Sequence, residues 1–113
     1  MQDSKIDIEE LKKEISQKLK PLNPQKIILF GSYADGNATK DSDIDLYVVT
    51  NDDFLPSNWN EKSKIYLKVA NRLDDIIKKY PTDLIVHTKK MHERFIKLNS
   101  YFSRKIMNSG IVL

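Results

Sequence analysis

Residues 27–49 decide the fold and read I-I-L-F-G-S-Y-A-D-G-N-A-T-K-D-S-D-I-D-L-Y-V-V. Two largely apolar runs, residues 27–30 and 43–49, flank a polar loop that contains two glycines. Short apolar runs that are rich in β-branched residues and bounded by turn residues are typical of buried strands. The stretch therefore predicts two strands of one sheet, joined by a loop that begins at Gly31.

The rest of the chain predicts helices around these strands. Apolar residues at helical spacing predict a first helix from Ile8 to Leu19, with a capping pattern at Asp7 and Glu10, and Pro21 ends it. The remaining predicted elements are a long helix over residues 58–77, a third strand over 83–86, further helix over 95–106 and a terminal strand over 111–113. This order favours an α/β or α+β fold, a small mixed sheet of three to five strands covered by helices, in one domain that spans residues 1–113.

Composition excludes several classes of chemistry. The 113 residues include no cysteine, which rules out disulfides, thiolate nucleophiles and cysteine-based metal sites. No apolar window is long enough for a membrane span and the N-terminus does not resemble a signal segment, so we expect a cytoplasmic protein. The net charge of +3 comes from scattered basic residues, and nucleic-acid binding is not indicated.

The start of the second strand carries two aspartates. Residues two apart on a strand face the same side, so Asp43 and Asp45 are expected about 7 Å apart beside an apolar strand. Two such carboxylates repel, and Mg²⁺ is the simplest ion to neutralise oxygen ligands. Asp83 opens the third predicted strand and would join the pair if the two strands are neighbours. Because Mg²⁺ in proteins often shares its coordination with substrate phosphates, a nucleoside triphosphate is the expected substrate.

The turn at Gly31 and Ser32 complements the carboxylates. Glycine lets the main chain approach an anion closely, and backbone N–H groups at a strand-to-helix turn can point towards phosphate oxygens. Taken alone, a Gly-Ser turn is more often structural, and an Asp-x-Asp pair at a strand end is more often a solvated edge. Their joint occurrence next to apolar strands favours a site for phosphate and metal.

These residues resemble the nucleotidyltransferase superfamily that includes DNA polymerase beta, and most closely its small prokaryotic members, the minimal nucleotidyltransferases. The family pattern is Gly-Ser, ten residues, then Asp-x-Asp, and ten residues separate Ser32 from Asp43 here. The resemblance implies a nucleotidyltransferase fold similar to the palm of polymerase beta. Gly31 and Ser32 would bind the phosphates of the triphosphate, and Asp43, Asp45 and Asp83 would be both the catalytic residues and the ligands of two Mg²⁺ ions.

The same resemblance implies a partner. Minimal nucleotidyltransferases often act with a helical HEPN protein as the antitoxin of a toxin–antitoxin pair, and some transfer AMP to a tyrosine of the toxin. AMP transfer from ATP to a HEPN-type partner, within a homo- or hetero-oligomer, is therefore the leading expectation. A binding module that neutralises its partner by contact and a transferase for a small molecule such as an antibiotic remain the alternatives.

Several other residues bear on the site. Small family members often carry arginine where this chain has Asp35 and Thr39, and Lys40 is the nearby basic residue. Tyr33 directly follows the Gly-Ser turn and is expected to contact the nucleotide or a partner. His87 and His92 are expected to be structural or surface residues, and the remaining aromatics in helical patterns are expected to be buried or half-buried: Trp59, Tyr66, Tyr80 and Tyr101.

Overall fold

The computed structural model describes residues 7–39 and 41–113, so Lys40 lies outside the described residues. Four strands form one mixed sheet in the order β3-β2-β1-β4. Strand β1 is antiparallel to both β2 and β4, whereas β2 and β3 are parallel. The strands are β1 (Lys26–Phe30), β2 (Ile44–Val49), β3 (Thr82–His87) and β4 (Ile111–Val112). The predicted mixed sheet is confirmed.

Six α-helices cover the two faces of this sheet in the described part of the chain. They are α1 (Ile8–Leu19), α2 (Ser32–Asp35), α3 (Trp59–Arg72), α4 (Asp74–Lys79), α5 (Lys89–Leu98) and α6 (Tyr101–Ser109). A 3-10 turn, Lys20–Leu22, follows α1. None of the helices among the described residues has the length and apolar character needed to cross a bilayer.

The central strands are apolar on both faces because helices pack on both. One face of the sheet packs against α1, α3 and α4 through Leu11, Ile15, Leu19, Ile65, Val69, Leu73 and Ile76. The other face contains Ile28, Phe30, Tyr47 and Val49, with Ile106 of α6 and Phe95 of α5 against them. The result is a three-layer arrangement in which β1 and β2 occupy the middle of the core.

The predicted long helix is two helices. Helix α3 ends at Arg72, and Leu73 caps it. Leu73 is fully buried, and its N–H is shared among carbonyls of the preceding turn. Helix α4 begins at Asp74. Asp74 and Asp75 then occupy the first turn of α4, where carboxylates are stabilised by the free N–H groups. Apolar spacing continues through the break because both helices bury the same side.

The exposure of three aromatic residues corrects a further expectation. Trp59 is 78% exposed, Tyr101 is 74% exposed and Tyr66 is 41% exposed, whereas Tyr80 is half-buried. Helical periodicity predicted that the three would pack, but each lies on the side of its helix that faces away from the sheet. Tyr33 also differs from the expectation that it contacts the nucleotide or a partner. It is only 7% exposed and packs in the core.

A hydrogen-bonded network links Tyr47 to the two histidines. The Tyr47 hydroxyl lies 2.9 Å from Nδ1 of His87 and 2.7 Å from Nδ1 of His92, so it donates to one ring and accepts from the other. Phe95 stacks on Tyr47 with ring centroids 5.1 Å apart. Both histidines are therefore structural, as expected. Burial, followed by the charges of His92 and Lys62, lowers the pKa of His87 to about 4.

This network predicts that the protein loses stability in mild acid. His87 stays neutral in the folded protein down to a pKa of about 4, but the unfolded chain takes up the proton near pH 6.5. The contribution of neutral His87 to the free energy of unfolding is thus complete above pH 6.5, and it is lost as the pH falls towards 4. At about 1.4 kcal/mol per pKa unit, reduced for partial exposure, we expect a loss of about 1 to 2 kcal/mol in the free energy of unfolding.

Urea unfolding of the wild type and of His87→Gln, at pH 7.5 and at pH 4.5, measures this loss. The variant should lose less stability between the two pH values, since Tyr47 keeps His92 as a partner and residue 87 no longer titrates. Other acid-sensitive groups are common to both proteins and cancel in the difference. Equal losses in the two proteins would contradict the assignment to His87.

Candidate active site

Strand register brings the three predicted aspartates to one end of the sheet. Asp45, the second residue of β2, is the direct partner of Asp83 in the parallel ladder with β3. Neighbouring strands lie about 4.8 Å apart, and directly paired residues project from the same face. Asp43 precedes β2 by one residue and lies two residues before Asp45, towards the same side. The sequence left open whether Asp83 lies next to Asp45, and the pairing of β2 with β3 shows that it does.

The electrostatics of Asp45 show that the carboxylates interact. Burial raises the pKa of the Asp45 carboxyl, and the charges of Asp83 and then Asp43 raise it further. Asp43 and Asp83 are themselves exposed, so the cluster lies at the edge of the core and opens to solvent. The end of the sheet thus holds concentrated negative charge next to a partly buried carboxylate.

Gly31 lies directly against this cluster. Its φ of +73° is a conformation that favours glycine, and a Cβ atom placed there would lie 2.1 Å from Oδ2 of Asp45. The residue thus meets two separate requirements, an unusual backbone conformation and close approach to a carboxylate. The Gly-Ser turn and the Asp-x-Asp pair, ten residues apart in sequence, are therefore in contact in space.

The loop between β1 and β2 is held by its own hydrogen bonds. Ser32 begins the short helix α2, and the N–H of Asn37 donates to its carbonyl at 3.0 Å. Further along, the N–H of Thr39 donates to Oγ of Ser42 at 2.8 Å, and the N–H of Ser42 donates to the Thr39 carbonyl at 3.1 Å. Thr39 thus helps to shape the turn that leads into Asp43, while Asp35 is exposed at the end of α2.

Lys105 is a residue of this region that the sequence did not indicate. It belongs to α6, yet its positive charge lowers the pKa of Asp45, opposing the effects of burial and of the two other aspartates. In sequence it lies 60 residues from Asp45 and next to Arg104, in a pair that looks like ordinary surface charge. Only the packing of α6 across β1 brings this cation to the acidic end of the sheet.

The donor set fits a hard divalent cation. Three carboxylates converge at this end of the sheet, and their mutual repulsion at Asp45 is what a bound cation would relieve. Over residues 7–39 and 41–113, however, no three histidine, aspartate or glutamate side chains form a ready-made metal site. The carboxylates supply suitable ligand chemistry, and a phosphate group would supply the further oxygens that Mg²⁺ requires.

Comparisons with known proteins identify the family of this chain. The model of the nucleotidyltransferase domain family matches residues 8–113. Two similar proteins come from Methanocaldococcus jannaschii, and both are described as putative protein adenylyltransferases. MJ0604 is 33% identical over 79% of this chain and 77% of that protein. MJ0141 is 42% identical over 58% of this chain. The chain spans only about three fifths (61%) of the length of MJ0141.

A solved structure has the same fold. The crystal structure of a toxin–antitoxin with AMP-PNP contains a chain that matches 95% of this protein with a TM-score of 0.54 and 21% identity, over 72% of that chain. At this level of identity the likeness concerns the fold alone.

The contact between Gly31 and Asp45 predicts that Gly31→Ala is more damaging than an alanine at the other left-handed glycine. Gly36 has a φ of +77° but nothing within 4 Å of its Cβ position, so Gly36→Ala introduces backbone strain only, about 1 to 2 kcal/mol. Gly31→Ala adds a collision with Asp45, and the Gly31 backbone (φ +73°, ψ −148°) lies outside the αL region of Gly36, in a conformation that only glycine readily adopts. This change should therefore cost at least about 1 kcal/mol more. Urea unfolding of both variants measures the difference, and equal costs would contradict both the collision and the extra backbone strain at Gly31.

Proposed function

Since the chain belongs to the nucleotidyltransferase domain family and is a nucleotidyltransferase, we propose that it transfers AMP from ATP, with Mg²⁺, to a hydroxyl group of a protein partner. The observation that carries this proposal is the pairing of Asp45 with Asp83, because it gathers three carboxylates at one end of the sheet beside the Gly-Ser turn. We further propose that residues 1–113 form a single minimal nucleotidyltransferase domain.

The proposed reaction is a single in-line displacement. The acceptor oxygen attacks the α-phosphorus of ATP, a new P–O bond forms, and the bond from the α-phosphorus to the bridging oxygen breaks to release pyrophosphate. We assign to Asp83, which is exposed near the start of β3, the role of receiving the proton of the attacking hydroxyl. No covalent intermediate with the protein is required.

The chain's own residues bind and orient the nucleotide. Asp43 and Asp45 would hold the Mg²⁺ ions, Asp83 would complete the ion on the acceptor side, and Gly31 and Ser32 would contact the outer phosphates. Bound Mg²⁺ would neutralise phosphate charge and lower the pKa of the acceptor hydroxyl. The positive charge of Lys105 already acts on Asp45, and we assign it to the β- and γ-phosphates, where a cation stabilises the charge of the departing pyrophosphate.

The acceptor is proposed by analogy with the similar proteins. The two relatives from Methanocaldococcus jannaschii are described as protein adenylyltransferases, and a neighbour in fold is part of a toxin–antitoxin complex solved with AMP-PNP. We therefore propose a tyrosine of a HEPN-type toxin as the acceptor, with this chain as the antitoxin. The same partner would be neutralised by contact alone if the protein acts as a binding module.

The catalytic assignment is tested by isosteric changes of the three aspartates. Asp43→Asn, Asp45→Asn and Asp83→Asn should each reduce transfer of labelled AMP to a purified HEPN-type partner by at least about a hundredfold, because each removes a charge from the metal and phosphate site. The matched control is Asp41→Asn, an exposed carboxylate two residues before Asp43 that should retain activity. Transfer that is undiminished in the Asp43 or Asp45 variants would disprove the catalytic role.

Neutralisation of the partner's toxicity should be followed with the same variants. Loss of neutralisation together with transfer supports the enzymatic mechanism. Neutralisation that survives Asp43→Asn and Asp45→Asn indicates that contact with the partner is sufficient.

A separate prediction concerns Lys105. Lys105→Met should raise the KM for ATP by about tenfold with a smaller effect on kcat, because a phosphate-binding cation is lost while the aspartates remain. Lys79→Met, which removes an exposed cation at the end of α4, is the control and should leave both constants unchanged. An unchanged KM in Lys105→Met would remove this residue from the phosphate site.

A further inference from the structure

Helix α6 covers the face of the sheet to which Asp45 belongs. Side chains alternate along β2, so Asp45 projects to the same side as Tyr47, the side on which Ile106 of α6 packs. Phe30, the last residue of β1, is directly opposite Asp45 in the antiparallel pair of β1 and β2. The acidic end of the sheet and α6 therefore share one face.

Phe102, the second residue of α6, packs on Phe30 with part of its ring. The two ring centroids are 5.8 Å apart in an edge-to-face arrangement, and the ring of Phe95 lies 6.1 Å away. Phe102 nevertheless remains 44% exposed. Its contacts hold the ring in place and leave part of it open to solvent.

The Phe102 ring lies within the length of a nucleotide from Asp45. Opposed residues of antiparallel strands have their Cβ atoms about 5 Å apart, which is the step from Asp45 to Phe30. A second step of 5.8 Å, between ring centroids, leads from Phe30 to Phe102. Together the two steps are comparable with the reach of a nucleotide from its α-phosphate to its base.

Lys105 adds a cation on the same side of α6. It follows Phe102 by three residues, and residues at this spacing are neighbours on a helix surface. The positive charge of Lys105 lowers the pKa of Asp45, which places the cation near the acidic cluster. Along this side of α6 an aromatic ring is thus followed by a cation, the order of groups that a base and its phosphates require.

The other exposed aromatic side chains of the described residues lie elsewhere. Trp59 and Tyr66 belong to α3, which packs on the opposite face of the sheet. Phe54 lies beyond the end of β2 that is opposite to Asp45, and its carbonyl accepts a hydrogen bond from Thr88. Tyr101 precedes Phe102 on α6 and is 74% exposed, but the ring that packs on Phe30 is that of Phe102.

We propose that the base of the nucleotide stacks on Phe102, and that the site therefore prefers purine over pyrimidine nucleoside triphosphates. This inference rests on the proposed function, because it requires the triphosphate to bind at the three aspartates. Stacking on an aromatic side chain is open to every base, since each has an aromatic face, and a purine has the larger face.

The polar neighbours of Phe102 on α6 are engaged within the turn between α5 and α6. The hydroxyl of Ser103 donates to the carbonyl of Ser100 at 3.0 Å, and the guanidinium of Arg104 donates to the carbonyl of Asn99. Phe102 consequently separates purines from pyrimidines and does not by itself distinguish ATP from GTP.

Calorimetry on the full chain with Mg²⁺ and without a partner protein tests the stacking. The ligands are ATP, CTP and ribose 5-triphosphate, which is the same molecule without its base. Because one base–aromatic stack is lost, the wild type should bind ribose 5-triphosphate about tenfold more weakly than ATP, with CTP in between.

Phe102→Leu keeps an apolar side chain on Phe30 but removes the aromatic face. It should weaken ATP binding about tenfold and leave the affinity for ribose 5-triphosphate unchanged. The matched control is Tyr101→Leu, which removes the adjacent exposed ring of the same helix and should leave both affinities unchanged. Circular dichroism verifies the fold, and binding of ribose 5-triphosphate shows that the phosphate site of each variant is intact.

The assignment of Phe102 is overturned by any of four results. These are equal affinities of the wild type for ATP and ribose 5-triphosphate, ATP binding that Phe102→Leu does not change, equal weakening of both ligands by Phe102→Leu, and weakening of ATP binding by Tyr101→Leu to the same extent. The third result would mean that the ring supports the shape of the site and does not touch the base.

Failure of this assignment is distinguishable from failure of the proposed function. AMP transfer that requires the aspartates but is indifferent to Phe102→Leu would overturn the stacking and leave the catalysis standing. A chain that binds ATP through Phe102 but transfers no AMP to its partner would refute the proposed transfer and leave the base site intact. A chain that binds no nucleotide would overturn both.

Discussion

The register between β2 and β3 is the constraint on which the rest of the site depends. Because side chains alternate along a strand, a shift of one residue would move Asp83 to the opposite face of the sheet, into the core under α3 and α4. The observed register instead places Leu84 and Val86 in that core and Asp83 beside Asp45. The same hydrophobic pattern that stabilises the fold therefore determines where the carboxylates meet.

Packing like charges at one end of the sheet is tolerated for structural reasons. Asp43 and Asp83 remain exposed, so most of the charge is screened by solvent, and only Asp45 is partly buried. Gly31 gives the Asp45 carboxylate the space that a side chain would fill, and Lys105 partly offsets the repulsion. These features reduce the electrostatic repulsion within the cluster in the free protein. The carboxylates remain accessible to a cationic or phosphate-bearing ligand.

The two ends of the sheet have different chemistry. The end where β2 and β3 begin is acidic and open, whereas at the other end His87 and His92 bond to Tyr47 in an aromatic cluster with Phe95. Phe95 and His87 also line a surface concavity of about 340 Å³, so the aromatic cluster reaches the surface at this end.

The sequence by itself determined the elements and the motif. Strand and helix periods located β1, β2, β3 and α1, and the alternation of side chains along β2 was enough to put Asp43 and Asp45 on one face. Local information of this kind is encoded within a few residues of each position. The helix N-caps at Asp7 and Asn58 are local in the same way, and both are observed.

Tertiary structure decided the relations between distant residues. The neighbourhood of Asp83 depends on strand pairing across a two-helix connection, the approach of Lys105 depends on how α6 crosses β1, and the break at Leu73 depends on how α3 and α4 bury a shared side. Trp59 and Tyr101 make the same point, since both lie in helical patterns but the sequence cannot say whether the sheet covers them. That choice is made by the packing of the whole domain, because the free energy of burial belongs to contacts between segments and not to any one of them.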